Sequence, residues 1–137
     1  VALALHQETE PVSLKSISER CGLSEAYILQ IFLVLRRAGI VTSTRGAQGG
    51  YMLSRDPSQI NAGEVLVALE GPLVPVSCIE ESCVTSCDRW ERCATRLLWE
   101  RIAHKIRNLT ESITLEDLVR SYYDINRNVG RLMDYSI

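Results

Sequence analysis

The hydrophobic positions near the start of the chain fall first at helical and then at strand spacings. Leu14, Ile17 and Cys21 lie at i, i+3 and i+7, the inner face of a short helix, and this places Cys21 as a small buried residue. Ser13 stands at the N-cap position after Pro11-Val12, and Gly22 stops the helix. Leu23-Ser24 is a very short link. Ser24 is a second N-cap candidate, and Glu25 is well placed against the positive helix start. Ile28, Ile31, Phe32 and Leu35 then form the inward stripe of a helix that ends at Ala38-Gly39. Two helices across so tight a turn predict a helix-turn-helix. The β-rich run Ile40 to Thr44, the glycine-rich tip Arg45-Gly46-Ala47-Gln48-Gly49-Gly50 and the returning Tyr51-Met52-Leu53 predict a hairpin. Helix, helix, hairpin is the order of a winged helix. A helix over Asn61 to Glu70, carrying Val65, Leu66 and Leu69, closes the domain.

Beyond that domain, Gly71 to Cys93 reads as a loop containing Pro72 and Pro75. A long helix follows over Ala94 to Leu109. Its apolar stripe of Leu98, Ile102, Ile106 and Leu109 lies beyond a complete small domain and so calls for a partner helix. Thr114 to Asp117 predicts a short capped helix, and the polar tail from Asn126 is expected to be loose. Val1 to Leu5 reads as helix interior without a cap, so the sequence is expected to start partway through a helix. The expected fold class is mainly α with a small β-hairpin. Residues 1–71 are the winged helix-turn-helix domain, 72–93 a cysteine-rich loop, 94–123 a dimerisation helix and the following short helix, and 124–137 a flexible tail.

Composition narrows the picture little. Apolar residues make up 46%, charged 23% and aromatic 6%, an ordinary globular mix for 137 residues. No apolar run is long enough to span a bilayer, and no secretory signal stands out, so the cytoplasm is the expected compartment. The net charge of −2 does not itself suggest nucleic acid. Residues 1–60 carry six cations against five anions, and residues 61–99 three against six, so the slight basic bias sits at the helix-turn-helix end. Four of the five cysteines, Cys78, Cys83, Cys87 and Cys93, cluster in the loop at gaps of four, three and five residues. Soft thiolates in this number favour iron–sulfur clusters, zinc or copper(I). The C-x-x-C unit usual in zinc modules and thioredoxin-type sites is absent.

Several motifs together carry a family resemblance: Ile17-Ser-Glu-Arg20, Ser24 through Tyr27, Leu35-Arg-Arg-Ala-Gly-Ile-Val41, the wing Arg45 to Tyr51, Cys87 and Cys93 five residues apart, Leu98-Trp99, and Ile113 to Leu118. The chain resembles the IscR/NsrR/RirA family of bacterial winged-helix regulators from Val1 to about Tyr123. The resemblance implies a homodimer held by the long helix, with each subunit presenting a recognition helix and a wing to palindromic double-stranded DNA. The recognition residues would be Ser24, Glu25, Ala26, Tyr27 and Gln30. Gln30 is able to pair with adenine, while the Ser24 and Tyr27 hydroxyls reach bases or phosphates. Arg45 would enter a narrow minor groove, and Gly46, Gly49 and Gly50 would let the wing backbone approach the DNA. Plainer readings stand beside these: Ser24 as a cap only, Tyr27 half-buried in the core, Arg45 solvated. The acidic residue that cluster-assembly regulators carry for base selection is Leu29 here, so their operator preference does not transfer.

For the loop, the resemblance implies Cys78, Cys87 and Cys93 as ligands of an iron–sulfur cluster, 2Fe–2S in preference to 4Fe–4S. The fourth ligand is open between Cys83 and an acidic residue before Val1. Arg96 stands where cluster-assembly regulators carry a histidine, and a guanidinium is a very poor ligand. Cluster binding would bias the winged domains toward or away from a DNA-competent arrangement. The alternatives are a regulator of the same fold without a cluster, using zinc, thiol redox or a partner protein, and more remotely a small electron carrier. No Ser-His-Asp set, phosphate loop or catalytic carboxylate pair stands out, and an enzyme is not expected.

Overall fold

A computed structural model of the chain describes residues 1–6, 10–46, 49–80 and 87–134, with the backbone alone for residues 128–134. Its order is α1 (Leu14–Cys21), α2 (Glu25–Arg37), β1 (Val41–Thr44), β2 (Gly50–Leu53), α3 (Ala62–Glu70), α4 (Ala94–Ser112) and α5 (Leu115–Asp134). This is the mainly helical winged architecture that the periodicities predict.

Local chemistry sets the boundaries. The Ser13 hydroxyl accepts from the Ser16 N–H at 3.2 Å and starts α1. Gly22 takes a left-handed conformation (φ 65°) that residues with a Cβ rarely adopt, and the chain turns there into α2. The two strands pair antiparallel, Val41 with Leu53 through Thr44 with Gly50. A short third partner joins them: the Val12 N–H donates to the Tyr51 carbonyl at 2.9 Å, and the Tyr51 N–H donates to the Val12 carbonyl at 2.8 Å. Helix α3 opens on a full capping box. The Glu64 N–H donates to Asn61 Oδ1 at 2.8 Å, and the Asn61 N–H to Glu64 Oε1 at 3.3 Å. Thr114 and Asp117 form the predicted cap of α5 reciprocally, at 2.9 and 3.1 Å.

One core organises these elements. Ile17, Ile28, Phe32, Leu35, Ile40, Val41, Tyr51 and Ile60 are buried together, and Phe32 meets Tyr51 edge-on with ring centroids 4.7 Å apart. Leu115 joins the same cluster, with Leu118 and Val119 packed against it. The start of α5 is therefore part of the winged core. Backbone bonds from Ala62 N–H to the Ile113 carbonyl (2.7 Å) and from Leu115 N–H to the Ile60 carbonyl (2.9 Å) fix it there.

The structure departs from the sequence reading in five places. Cys21 is exposed, because α1 ends at that residue and the turn of Gly22, Leu23 and Ser24 beside it is exposed as well. Leu66 and Leu69 are exposed, since α3 turns Val65 and Ala68 to the core and packs its Gly63 edge on α4. Residues 4–6 form a single 3-10 turn, with Leu3 and Ala4 buried. The loop before α4 contains one-turn helices at Ser77–Ile79 and Trp90–Arg92. The expected loose tail is helical through Asp134, because α5 runs on from its core-packed first turns, and Glu116 pairs with Arg120 at 2.9 Å.

Candidate DNA-binding face and cysteine loop

Ser24 sits at the N-cap of α2 in extended backbone, and its hydroxyl accepts from the Tyr27 N–H at 3.3 Å. Ser24, Glu25, Ala26, Tyr27 and Gln30 are all exposed, with Tyr27 at 56%, which removes the half-buried reading of the tyrosine. Leu29 is only partly exposed. At the far end of α2, Arg36 Nη1 donates to the Ser43 hydroxyl at 3.2 Å, linking that helix to the hairpin. Sequence reasoning passed over that link, because nothing in the spacing of residues 36 and 43 announces it.

In the wing, Arg45 is exposed just past β1, while Ala47 and Gln48 lie outside the described residues. The three glycines separate by role. A Cβ on Gly49 would stand 2.5 Å from the Thr44 carbonyl oxygen, and one on Gly50 would collide with the Val12 carbonyl. The fold itself requires both. Gly46 has φ 127° and open space around it, so among these glycines it alone has no neighbour to accommodate.

The loop cysteines come from separate pieces. Cys78 is half-buried in the Ser77–Ile79 turn, which packs on α4. Cys87 is half-buried, and Cys93 is the residue before α4. Cys83 lies outside the described residues. The Cys93 sulfur is 3.2 Å from the Thr95 hydroxyl, and the Arg96 N–H bonds back to the Cys93 carbonyl at 3.2 Å. Hydrogen bonding from Thr95, then the Arg96 N–H and charge, holds the Cys93 thiol below its ordinary pKa, as helix N-termini do. The Cys-x-Thr at a predicted helix start was the available signal for this, and sequence reasoning left it unused. Arg96 is otherwise engaged: it stacks 4.5 Å over Trp90 and pairs with Glu100 at 3.1 Å. Its position is thus a brace between loop and helix.

Three thiols, one with its pKa lowered, are chemically suited to an iron–sulfur group or zinc. Among the described residues no three His, Cys, Asp or Glu side chains are gathered closely enough to hold one metal ion, so Cys78, Cys87 and Cys93 are not preassembled. Next to the loop, α4 exposes Leu97, Leu98, Ile106 and Leu109, Leu98 at 55% and Leu109 at 61%. No helix among the described residues is long and apolar enough to cross a membrane.

A helix-turn-helix followed by a paired wing defines a winged-helix DNA-binding unit, here continued by two long helices. Comparison with known proteins agrees. The family model described as "Rrf2: Iron-dependent Transcriptional regulator" matches residues 1–121. The chain is 43% identical over 124 residues to the HTH-type transcriptional regulator CymR of Bacillus subtilis, covering 90% of this chain and 83% of that protein. It is 39% identical over 119 residues to the HTH-type transcriptional regulator IscR of Photorhabdus laumondii, covering 87% and 71%. A solved structure, "CymR (YrzC) the Global Cysteine Regulator of B. subtilis", superposes with a TM-score of 0.71 at 41% identity, over 88% of this chain and 86% of that one. The chain belongs to the Rrf2 family of DNA-binding transcriptional regulators. These relatives are regulators and not enzymes.

Proposed function

We propose that the protein is a homodimeric regulator of a palindromic operator, and that an iron–sulfur group held by Cys78, Cys87 and Cys93 controls its affinity. Within this sequence Cys83 is the candidate for the fourth ligand. The observation that carries the reading is the junction of loop and α4. Cys93, at the N-cap of α4, has its thiol pKa lowered by the Thr95 hydroxyl, the Cys78 turn packs on the same helix, and that helix exposes an apolar stripe fit for a second copy. When bound, the group supplies iron-, oxygen- and nitric oxide-sensitive chemistry. The chain's own residues supply the coupling. Arg96 ties Trp90 of the loop to Glu100 of α4, so a change in the loop's path is felt along the helix that sets the distance between the two winged units.

On the DNA, Ser24, Glu25, Ala26, Tyr27 and Gln30 face the major groove. Arg45, with Gly46, enters the minor groove alongside. The test is Cys87→Ala. Anaerobically purified variant loses the visible absorption of the parent, and its operator affinity shifts; an affinity equal to that of the loaded parent overturns the coupling.

A second reading has its own support. The three cysteines are not gathered, and the Cys93 thiol has its pKa lowered by the Thr95 hydroxyl and the Arg96 N–H. A relative titled a global cysteine regulator shares the fold. Control by thiol oxidation, by zinc or by a partner protein is therefore the alternative, and metal analysis of the purified protein separates these.

A further inference from the structure

The exposed face of α2 presents an unusual pair. Ile28, Phe32 and Leu35 are buried and fix the inward direction of the helix. By the helix's step of about 100° per residue, Ala26 and Gln30 lie about 40° apart on the side opposite that stripe. Both are exposed. Glu25 points roughly a third of a turn away from them. Leu23 and Tyr27, flanking Ala26, are exposed apolar surface in their own right, at 43% and 56%. The centre of the recognition face is thus a methyl beside a carboxamide, with apolar surface around it and no charged group between.

The major-groove edge of an A·T pair has the complementary layout. Adenine offers N7 as acceptor and N6 as donor, and its thymine carries the C5 methyl. Ala26 has no polar atom in its side chain, and a recognition face that leaves Ala26, Leu23 and the Tyr27 ring in water gains by covering them with another apolar group. In the major groove the thymine methyl is that group.

From this arrangement we infer that Ala26 and Gln30 act as one reader of an A·T step, Gln30 bonding adenine N6 and N7 while the Ala26 methyl packs on a thymine C5 methyl in the same or the next pair. The inference rests on α2 entering the major groove, and it adds the thymine methyl read by Ala26 and the joining of that contact with Gln30 into one step. It also gives Leu29 no part in base selection, in keeping with its partly buried side chain.

The experiment starts by selecting bound sequences from random double-stranded DNA with the full chain at one fixed salt concentration, because affinity depends steeply on salt. Each thymine of the selected half-site is then replaced by deoxyuridine, which removes only the methyl, and each adenine by 7-deazaadenine, which removes only N7. The expected result is one thymine per half-site whose replacement weakens binding about fourfold, the worth of one buried methyl. A 7-deazaadenine substitution in the same or the adjacent pair weakens it about tenfold. In the Ala26→Gly variant the uracil effect disappears and the deazaadenine effect stays; in Gln30→Ala the reverse holds. Circular dichroism matching that of the parent confirms that each variant is folded, and the uracil and deazaadenine effects on the parent protein test the reading without any substitution. Uniform indifference to uracil, or a uracil effect that persists in the folded Ala26→Gly variant, overturns the inference while leaving DNA binding intact. Failure to select any sequence, with no salt-dependent binding, overturns the DNA-face reading beneath it.

Discussion

Gly50 offers a direct test of how the wing is held. Replacing it by alanine leaves the backbone conformation allowed, since Gly50 is not among the glycines with positive φ. The added methyl nevertheless runs into the Val12 carbonyl and the start of α1. Two backbone hydrogen bonds flank the collision, at 2.9 and 2.8 Å between Val12 and Tyr51. Prising them apart costs about 1 kcal/mol each. The edge-on contact of Tyr51 with Phe32 at 4.7 Å depends on the same register and contributes about 1 kcal/mol more. Gly50→Ala is therefore expected to destabilise the protein by about 2–3 kcal/mol, a large share of a domain's stability of roughly 5–15 kcal/mol. Urea unfolding at one fixed protein concentration, so that association does not shift the midpoint, should show a fall on the order of 1 M. Amide exchange should show protection lost at Val12 and Tyr51. A midpoint within about 0.2 M of the parent, with both amides still protected, would mean that the strand at Val12 yields freely and that the glycine is kept for another reason.

Other outcomes follow from the same geometry. Arg45→Ala should weaken operator binding about tenfold or more without altering the dimer, as read by titration at fixed salt and by sedimentation; equal affinity refutes the minor-groove assignment. Leu98→Glu with Leu109→Glu puts charge on the exposed stripe of α4 and should give monomers at micromolar concentration, and a persistent dimer would place the seam elsewhere. In metal-free protein Cys93 should react with iodoacetamide at a lower pH than an ordinary thiol, because its lowered pKa makes thiolate available earlier. Thr95→Val removes the largest cause and should move that profile to higher pH, and an unmoved profile would refute the hydrogen bond's role.

The winged unit was legible in the sequence because its signals are local. Ser13 and Ser24 cap the helices they precede, Gly22 supplies the left-handed turn, and Ile28, Phe32 and Leu35 are buried as their spacing requires. What the sequence did not disclose depends on which elements meet. Gly49 and Gly50 read as glycines for close DNA approach, and their spacing gave no sign of the contacts with Thr44 and Val12 that the fold also requires of them. Cys21 has the spacing of an inward residue but lies at a helix end, where spacing stops predicting burial. Leu66 and Leu69 lie on the solvent side of α3, because Gly63 brings that helix close to α4 and turns Val65 and Ala68 inward. The polar stretch after Asn126 looked loose for want of an apolar stripe, yet helix propagation from a packed first turn costs little once nucleated. In the loop, the thiols were plain from the sequence, but Arg96 as a brace and Thr95 as the partner of Cys93 are tertiary facts.

An iron–sulfur group held by the loop cysteines, if it sets operator affinity, must show itself in one preparation. The most direct measurement is anaerobic purification, a visible spectrum with iron, sulfide and zinc analysis, and operator titration of the same sample before and after the metal is removed. The expected result is a coloured protein with matched iron and sulfide, and a change of about tenfold or more in affinity on removal, the size of an ordinary coupling between two sites. A colourless protein that resists reconstitution, or a coloured one whose operator affinity does not change, would contradict it.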